Sequence, residues 1–266
     1  MQAGKFETMT RIGFAARGIM YILIGFLALK TGRTEGSGGA LEYLSSGSGK
    51  LLLGLMALGF LAYGIWRMSE ALLDTEGQGA DGTGMVKRAA GFISGLIHIG
   101  LGLYAMKLAS GSGGSGGSSD GAEQGAATAL SLPGGSTLLT VAAVILFVTG
   151  IYQFVKAAKL GFLRHLDQRA AKEAWVQWTG RLGYAARGLV FLVIAWFLWN
   201  AARQENAQAA GSTGEALGSL PSNIQALVAA GLLLFGLFSL VEARYRRIND
   251  PKVLARLGAK ARTMTR

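Results

Sequence analysis

Residues 11–18 read Arg-Ile-Gly-Phe-Ala-Ala-Arg-Gly, and residues 181–188 read Arg-Leu-Gly-Tyr-Ala-Ala-Arg-Gly. Six of the eight positions are identical and the other two are conservative. A fainter third copy, residues 88–95 (Arg-Ala-Ala-Gly-Phe-Ile-Ser-Gly), keeps Arg88 and Gly95 at the same spacing. Between the copies a second element recurs: Gly64, Gly150 and Gly236 follow one another at intervals of 86 residues. Each is followed two residues later by an aromatic (Trp66, Tyr152, Phe238) and seven residues later by an alanine (Ala71, Ala157, Ala243). Self-similarity of this kind is the signature of a chain built from repeated units.

Each copy lies in an apolar stretch. Six such stretches run Ile12–Leu29, Leu51–Met68, Ala89–Leu108, Leu138–Val155, Leu182–Trp199 and Ile224–Val241, five of 18 residues and one of 20. As helices, 18 residues reach about 27 Å, close to the roughly 30 Å hydrocarbon core of a bilayer. The runs are too long for strands and lack period-2 alternation. Composition agrees: 51% of the 266 residues are hydrophobic and 15% charged, against about 25% charged in a soluble domain. No cysteine is present, which excludes a disulfide scaffold, thiolate metal sites and cysteine nucleophiles. The first stretch carries Arg17 and leads to no small-residue cleavage site, so it reads as a span and not a cleaved signal.

Sidedness follows from the basic residues. Of 26 Lys and Arg, 21 fall on the side of the two termini and five on the other; the acidic residues divide nine and six. The positive-inside rule places both termini in the cytoplasm of a cell whose inner (plasma) membrane holds the chain. The formal charge of +11 is thus an inner-leaflet signal, and anionic lipid is favoured over nucleic acid as its partner. Trp175 and Trp178 before the fifth span, with Trp66 and Trp199 at span ends, suit interfacial belts.

The expected fold is all-α: six transmembrane helices as three tandem hairpins, over about 11–75, 88–160 and 181–246, followed by a basic cytoplasmic tail, 247–266. Hairpins of identical topology relate by a pseudo-three-fold axis along the membrane normal, whereas inverted repeats need an axis in the membrane plane. Before each even span the sequence returns to a similar segment, at Ala40-Leu41, Ala129-Leu130 and Ala216-Leu217, read as short amphipathic turns lying on the outer surface. The Gly- and Ser-rich stretch from Gly111 to Gly121 reads as a flexible outer loop.

The pattern Arg-x-Gly-[Phe/Tyr]-Ala-Ala-Arg-Gly, then Ala-Leu-x-x-Leu, then Ala57-Leu-Gly-Phe-Leu-Ala-Tyr63-Gly64-Ile-Trp66-Arg67 resembles the bacterial family called domain of unknown function 1206. The resemblance covers nearly the whole chain, and the middle unit departs most, with Ser94 in place of Arg. It implies a fold and a membrane address, and brings no activity with it.

Two groups of residues are candidates for chemistry. Arg17 and Arg187 lie five residues inside their spans, about 8 Å deep. Six residues after the repeated glycines come Glu70, Lys156 and Glu242, so the units with Arg have Glu and the unit with Ser94 has Lys. The swap predicts charge pairs at the inner membrane boundary: Arg17 and Arg187 each reach a Glu, within or between units, leaving Lys156 to meet another carboxylate. The second group is His98, the one histidine inside a span, its counterparts Tyr21 and Phe191, and Gln153. These are candidate axis or gating residues. All three counterparts share a helix face with small residues (Gly18 and Gly25, Gly95 and Gly102, Gly188 and Ala195), a spacing that lets helices approach closely. The favoured reading of His98 is packing with one satisfied hydrogen bond.

Enzyme signatures are missing: no zinc-protease helix, no phosphate loop, no nucleophile elbow. One histidine within the spans gives no haem ligand set, and His165 lies in a loop, so neither cofactor nor metal is expected. The sequence favours a non-enzymatic membrane component acting as scaffold, partner subunit or lipid organiser. The rival is a channel or transporter along the pseudo-three-fold axis or a homo-oligomer interface. A membrane or cytoplasmic protein partner would dock on the basic face, and added salt would weaken that contact.

Overall fold

The computed structural model describes residues 2–32, 34–45, 49–74, 79–111 and 118–246; the tail, 247–266, lies outside them. These residues form ten α-helices: α1 (Gln2–Thr31), α2 (Ser37–Ser45), α3 (Lys50–Leu73), α4 (Gly82–Ala109), α5 (Ser118–Leu130), α6 (Gly135–Lys159), α7 (Gln168–Lys172), α8 (Ala174–Gln204), α9 (Thr213–Gly218) and α10 (Ser222–Tyr245). Six of them (α1, α3, α4, α6, α8 and α10) contain stretches of 21 to 31 residues long and apolar enough to cross a membrane. The expected spans are all present, and longer. The fifth differs most: α8 starts at Ala174, so Trp175 and Trp178 lie inside it. Apolarity marks only the part of a helix in hydrocarbon, while its interfacial turns carry Trp and Arg; here Arg181 stacks on the Trp178 ring at 5.4 Å.

The helices pack most closely between units. Each even span lies along the odd span of the following unit, in cyclic order: α3 with α4, α6 with α8, and α10 with α1. All three seams are made by the repeated glycines. A Cβ on Gly64 would stand 2.8 Å from the Gly95 carbonyl oxygen, and one on Gly95 would stand 3.0 Å from that of Gly64. The same reciprocal contact joins Gly150 with Gly188 (3.1 and 3.0 Å) and Gly236 with Gly18 (2.6 and 2.9 Å). Lipid tails are as apolar as leucine, so hydrophobicity alone does not drive helices together there; close backbone approach does, and a side chain at the crossing would prevent it.

The hairpins close unequally. In the first, Gly13 faces the backbone of Tyr63 and Gly59 faces Ala16; in the third, Gly183 faces the backbone of Phe235 and Gly231 faces Ala186. The middle unit has Ala90, Ile93, Ile145 and Thr149 at these four places, and α4 and α6 do not pack along their lengths. The result is a lateral cleft. Tyr152 is 43% exposed where its counterparts Trp66 and Phe238 are 3% and 0% exposed. Ile97 is 57% exposed where Met20 and Val190 are 3% and 2% exposed.

The segments before the even spans are helices, α2, α5 and α9, and they correct the expectation of turns lying on the surface. Ala40, Leu41, Ala216 and Leu217 are fully buried, in one core with Ile24, Leu27, Leu53 and Leu232. The loop from Gly111 is also shorter than expected, because Ser118 already begins α5. A polar, glycine-rich composition reads as loop, but the run of alanines that follows propagates the helix back into it. On the basic side the segment between α6 and α8 is pinned to the end of α10, where Asp167 donates its N–H to the Tyr245 carbonyl at 2.9 Å.

The seams predict opposite outcomes for glycines on the same helices. Gly64→Leu, Gly150→Leu or Gly236→Leu forces two backbones apart and should cost at least about 1–3 kcal/mol, the usual range for overpacking. Gly54→Ala and Gly100→Ala meet nothing within 4 Å and should be neutral or stabilising by about 0.5–1 kcal/mol. Thermal unfolding of the purified variants in one detergent would check both.

Candidate functional site

The seams fix what faces what at the basic end of the bundle. On each odd span the residue before the seam glycine is Arg17, Ser94 or Arg187; on each even span the residues three and six after it are Arg67 and Glu70, Gln153 and Lys156, or Ser239 and Glu242. Cyclic packing then sets Arg17 against Ser239 and Glu242, Ser94 against Arg67 and Glu70, and Arg187 against Gln153 and Lys156.

The first of these places is complete. Arg17 is buried, and its Nη2 donates to Glu242 Oε2 at 2.6 Å. Nη2 and Nε also donate to Ser239 Oγ, at 3.2 and 3.3 Å. That hydroxyl gives its own proton to the Phe235 carbonyl at 2.9 Å, so its lone pairs are left to accept. Nη1 donates to the Tyr63 hydroxyl at 3.1 Å, and the guanidinium lies over the Phe14 ring at 4.5 Å. The other carboxylate oxygen of Glu242 accepts from Arg246 at 3.1 Å. A buried charge costs several kcal/mol to desolvate and is tolerated when paired and hydrogen-bonded. Arg17 meets both conditions, and it ties the first unit to the third.

The second place is balanced from one helix: Arg67 pairs with Glu70 a turn away on α3. Ser94 contributes its carbonyl oxygen, 2.7 Å from His98 Nδ1, so Nδ1 carries the proton and donates. His98 is buried against the rings of Tyr63 (4.5 Å) and Phe60 (6.1 Å).

The third place differs. Arg187 donates from Nε to the Tyr21 hydroxyl at 3.1 Å and lies over the rings of Phe191 (4.6 Å) and Phe235 (5.0 Å). Among the described residues it meets no carboxylate, which corrects the expectation that it reaches a Glu. The charge-swap argument compares residues within a unit, but contact runs across units, and the cyclic neighbour of Arg187 is Lys156. Lys156 forms no direct ion pair with a carboxylate among the described residues, and Glu242 acts on it only at longer range; its ammonium lies over the rings of Tyr184 (4.8 Å) and Tyr152 (5.9 Å). Gln153 is 5% exposed, and its side chain makes no hydrogen bond among the described residues.

The structure thus brings Arg17 and Glu242 together, puts Glu70 on Arg67, and sets Lys156 toward Arg187. Tyr21 packs edge-on against Phe235 at 4.9 Å, and with Phe191 it forms the bed of Arg187. Tyr63, Arg67, Ser239 and Arg246 are partners that the sequence reading does not single out. The available signal was their register: Arg67, Gln153 and Ser239 stand at equivalent places 86 residues apart. No group of three or more His, Asp or Glu side chains converges as a metal site among the described residues.

Removing either member of the Arg17–Glu242 pair strands the other in the core. Arg17→Met and Glu242→Gln should each cost about 3–5 kcal/mol, and the double variant less than their sum, by the coupling a double-mutant cycle reads in denaturation midpoints.

Comparison with known proteins matches these units. The family model described as Domain of Unknown Function (DUF1206) matches three times, at residues 12–74, 89–159 and 182–246. An uncharacterized protein of Bacillus subtilis (strain 168), YxxB, is 30% identical over 255 residues, covering 91% of this chain and 92% of its own. No solved structure matches. Three family matches in tandem, each spanning one odd and one even membrane helix, make this chain a member of the DUF1206 family.

Proposed function

We propose that the protein is a non-enzymatic, lipid-organising component of the inner (plasma) membrane that admits the acyl chains of a phospholipid between α4 and α6. Both termini face the cytoplasm in this reading, because the basic residues gather on their side. The observation that carries it is the open middle hairpin: the faces buried in the first and third units are exposed in the second, at Ile97 and Tyr152, and Ile93 is exposed beside them. The cleft lies within membrane-length helices, so its surroundings are lipid, and apolar walls favour an acyl chain over water or an ion. A conducting path along the axis is disfavoured by Leu41 and Leu217, which fill the core at the other end.

Native mass spectrometry of protein extracted in mild detergent should find phospholipid retained. Ile93→Ala with Ile145→Gly restores the small residues of the other two hairpins and should close the cleft, with loss of that lipid. Retention of no lipid by the wild type, or undiminished retention by the double variant, would overturn the reading. In liposomes under an imposed potential, ion and proton flux should match empty vesicles for the wild type and for His98→Ala; flux that depends on His98 would put the axial pathway in its place.

A further inference from the structure

The geometry points to a phosphate-binding site on the α6–α8 seam, formed by the terminal nitrogens of Arg187, Nζ of Lys156 and the side-chain amide of Gln153. The inference rests on the lipid-organising reading only in naming a phospholipid headgroup as the first source of that phosphate; free inorganic phosphate is the second.

The protein supplies its own comparison, because the same place is built three times. Arg17 has a carboxylate, a hydroxyl and a phenol as partners: Glu242, Ser239 and Tyr63. At the corresponding places around Arg187 stand Lys156, Gln153 and Phe235. Two of the replacements remove an acceptor that Arg17 uses, and the third keeps one, the Gln153 amide oxygen, that Arg187 does not engage. Glutamate has become a cation, tyrosine has lost its hydroxyl, and Gln153 stands nine-tenths buried with its amide unengaged. Nε of Arg187 is bonded to Tyr21, while its two terminal nitrogens make no hydrogen bond among the described residues. The nearby carboxylate, Glu242, already receives Arg17 on one oxygen and Arg246 on the other.

What is missing from this place is an acceptor with negative charge and several oxygens. A guanidinium fork, an ammonium and an amide together match a phosphate: two parallel donors, a point charge and a neutral donor. Lys156 links the seam to the cleft, since its ammonium lies between the ring of Tyr184, which is buried, and that of Tyr152, which is exposed at the cleft wall. A phospholipid with its tails between α4 and α6 would therefore bring its phosphate to the basic end, where these donors stand.

The test compares wild type, Arg187→Gln, and Lys156→Glu. The last copies the Arg17–Glu242 arrangement into the seam, so it should fold and unfold at a higher temperature than wild type in lipid-free detergent. Each protein is delipidated and titrated with phosphatidylglycerol, with phosphatidylcholine and with inorganic phosphate, following bound mass by native mass spectrometry and thermal midpoint. Wild type should retain phosphatidylglycerol, and both variants should bind it about tenfold or more weakly, the loss of at least one charge-assisted hydrogen bond. Stabilisation by inorganic phosphate alone, abolished in both variants, would keep the site and make free phosphate its ligand, while the lipid reading falls. Equal binding of phospholipid by all three proteins would overturn the site and leave the cleft standing. No binding of any probe by the wild type would overturn both.

Discussion

The close approach of backbones at three glycine crossings is the constraint on which the remaining structure depends. With lipid around them, these helices gain little from burying apolar surface, so contact must come from packing and from polar bonds between helices. A reciprocal pair of glycines places each helix surface against the carbonyl oxygens of the other, and only glycine allows it at those distances. Once Gly18 meets Gly236, Gly64 meets Gly95 and Gly150 meets Gly188, the rotation and depth of every span is set. Residues at fixed offsets from the crossings then face one another whatever their chemistry, which is why one scaffold presents Arg with Glu, Ser with Glu and Arg with Lys at three equivalent places.

Charge balance is reached differently at the first two places. Across the α10–α1 seam the pair comes from two helices, and Arg17 bonds Tyr63, Ser239 and Glu242, which lie 46, 222 and 225 positions away in sequence. Across α3–α4 the cation has moved to the even helix, so that Arg67 neutralises Glu70 locally. Of the Arg17–Glu242 and Arg67–Glu70 pairs, the first joins two different units. The α1–α10 contact is therefore the electrostatic clasp of the cyclic arrangement, joining the first and last spans of the chain, and these two spans are also the most buried of the six.

Much of this was legible in the sequence. Six spans, three units and the seam glycines follow from bilayer-length apolar runs and a period of 86 residues between even-helix glycines. What the sequence withholds is adjacency. Internal comparison shows that Arg17 corresponds to Arg187 and Glu242 to Lys156, but correspondence says nothing about which unit meets which. Pairing within units and pairing in cyclic order differ by one step, and that step decides whether Arg187 faces a carboxylate or an ammonium. The open hairpin was written in the sequence as well, in Ile93 and Ile145 at places where the other units have alanine or glycine. It is readable only once the structure shows that those places are the hairpin contact.

The two departures of the middle unit depend on each other. Closing α4 onto α6 would cover Tyr152 and with it the side of Lys156 that now reaches the cleft, burying an ammonium beside a guanidinium with only Glu242 near, a carboxylate already paired with Arg17 and Arg246. Two like charges taken out of water together repel, and each carries its own desolvation cost. Conversely, an open cleft lined only with apolar side chains would attract lipid without selecting a headgroup. Isoleucines that hold the hairpin apart and cations that stand at its basic end thus make one arrangement: under the proposed function the first would admit an amphiphile from the bilayer, and the second would favour one that brings negative charge.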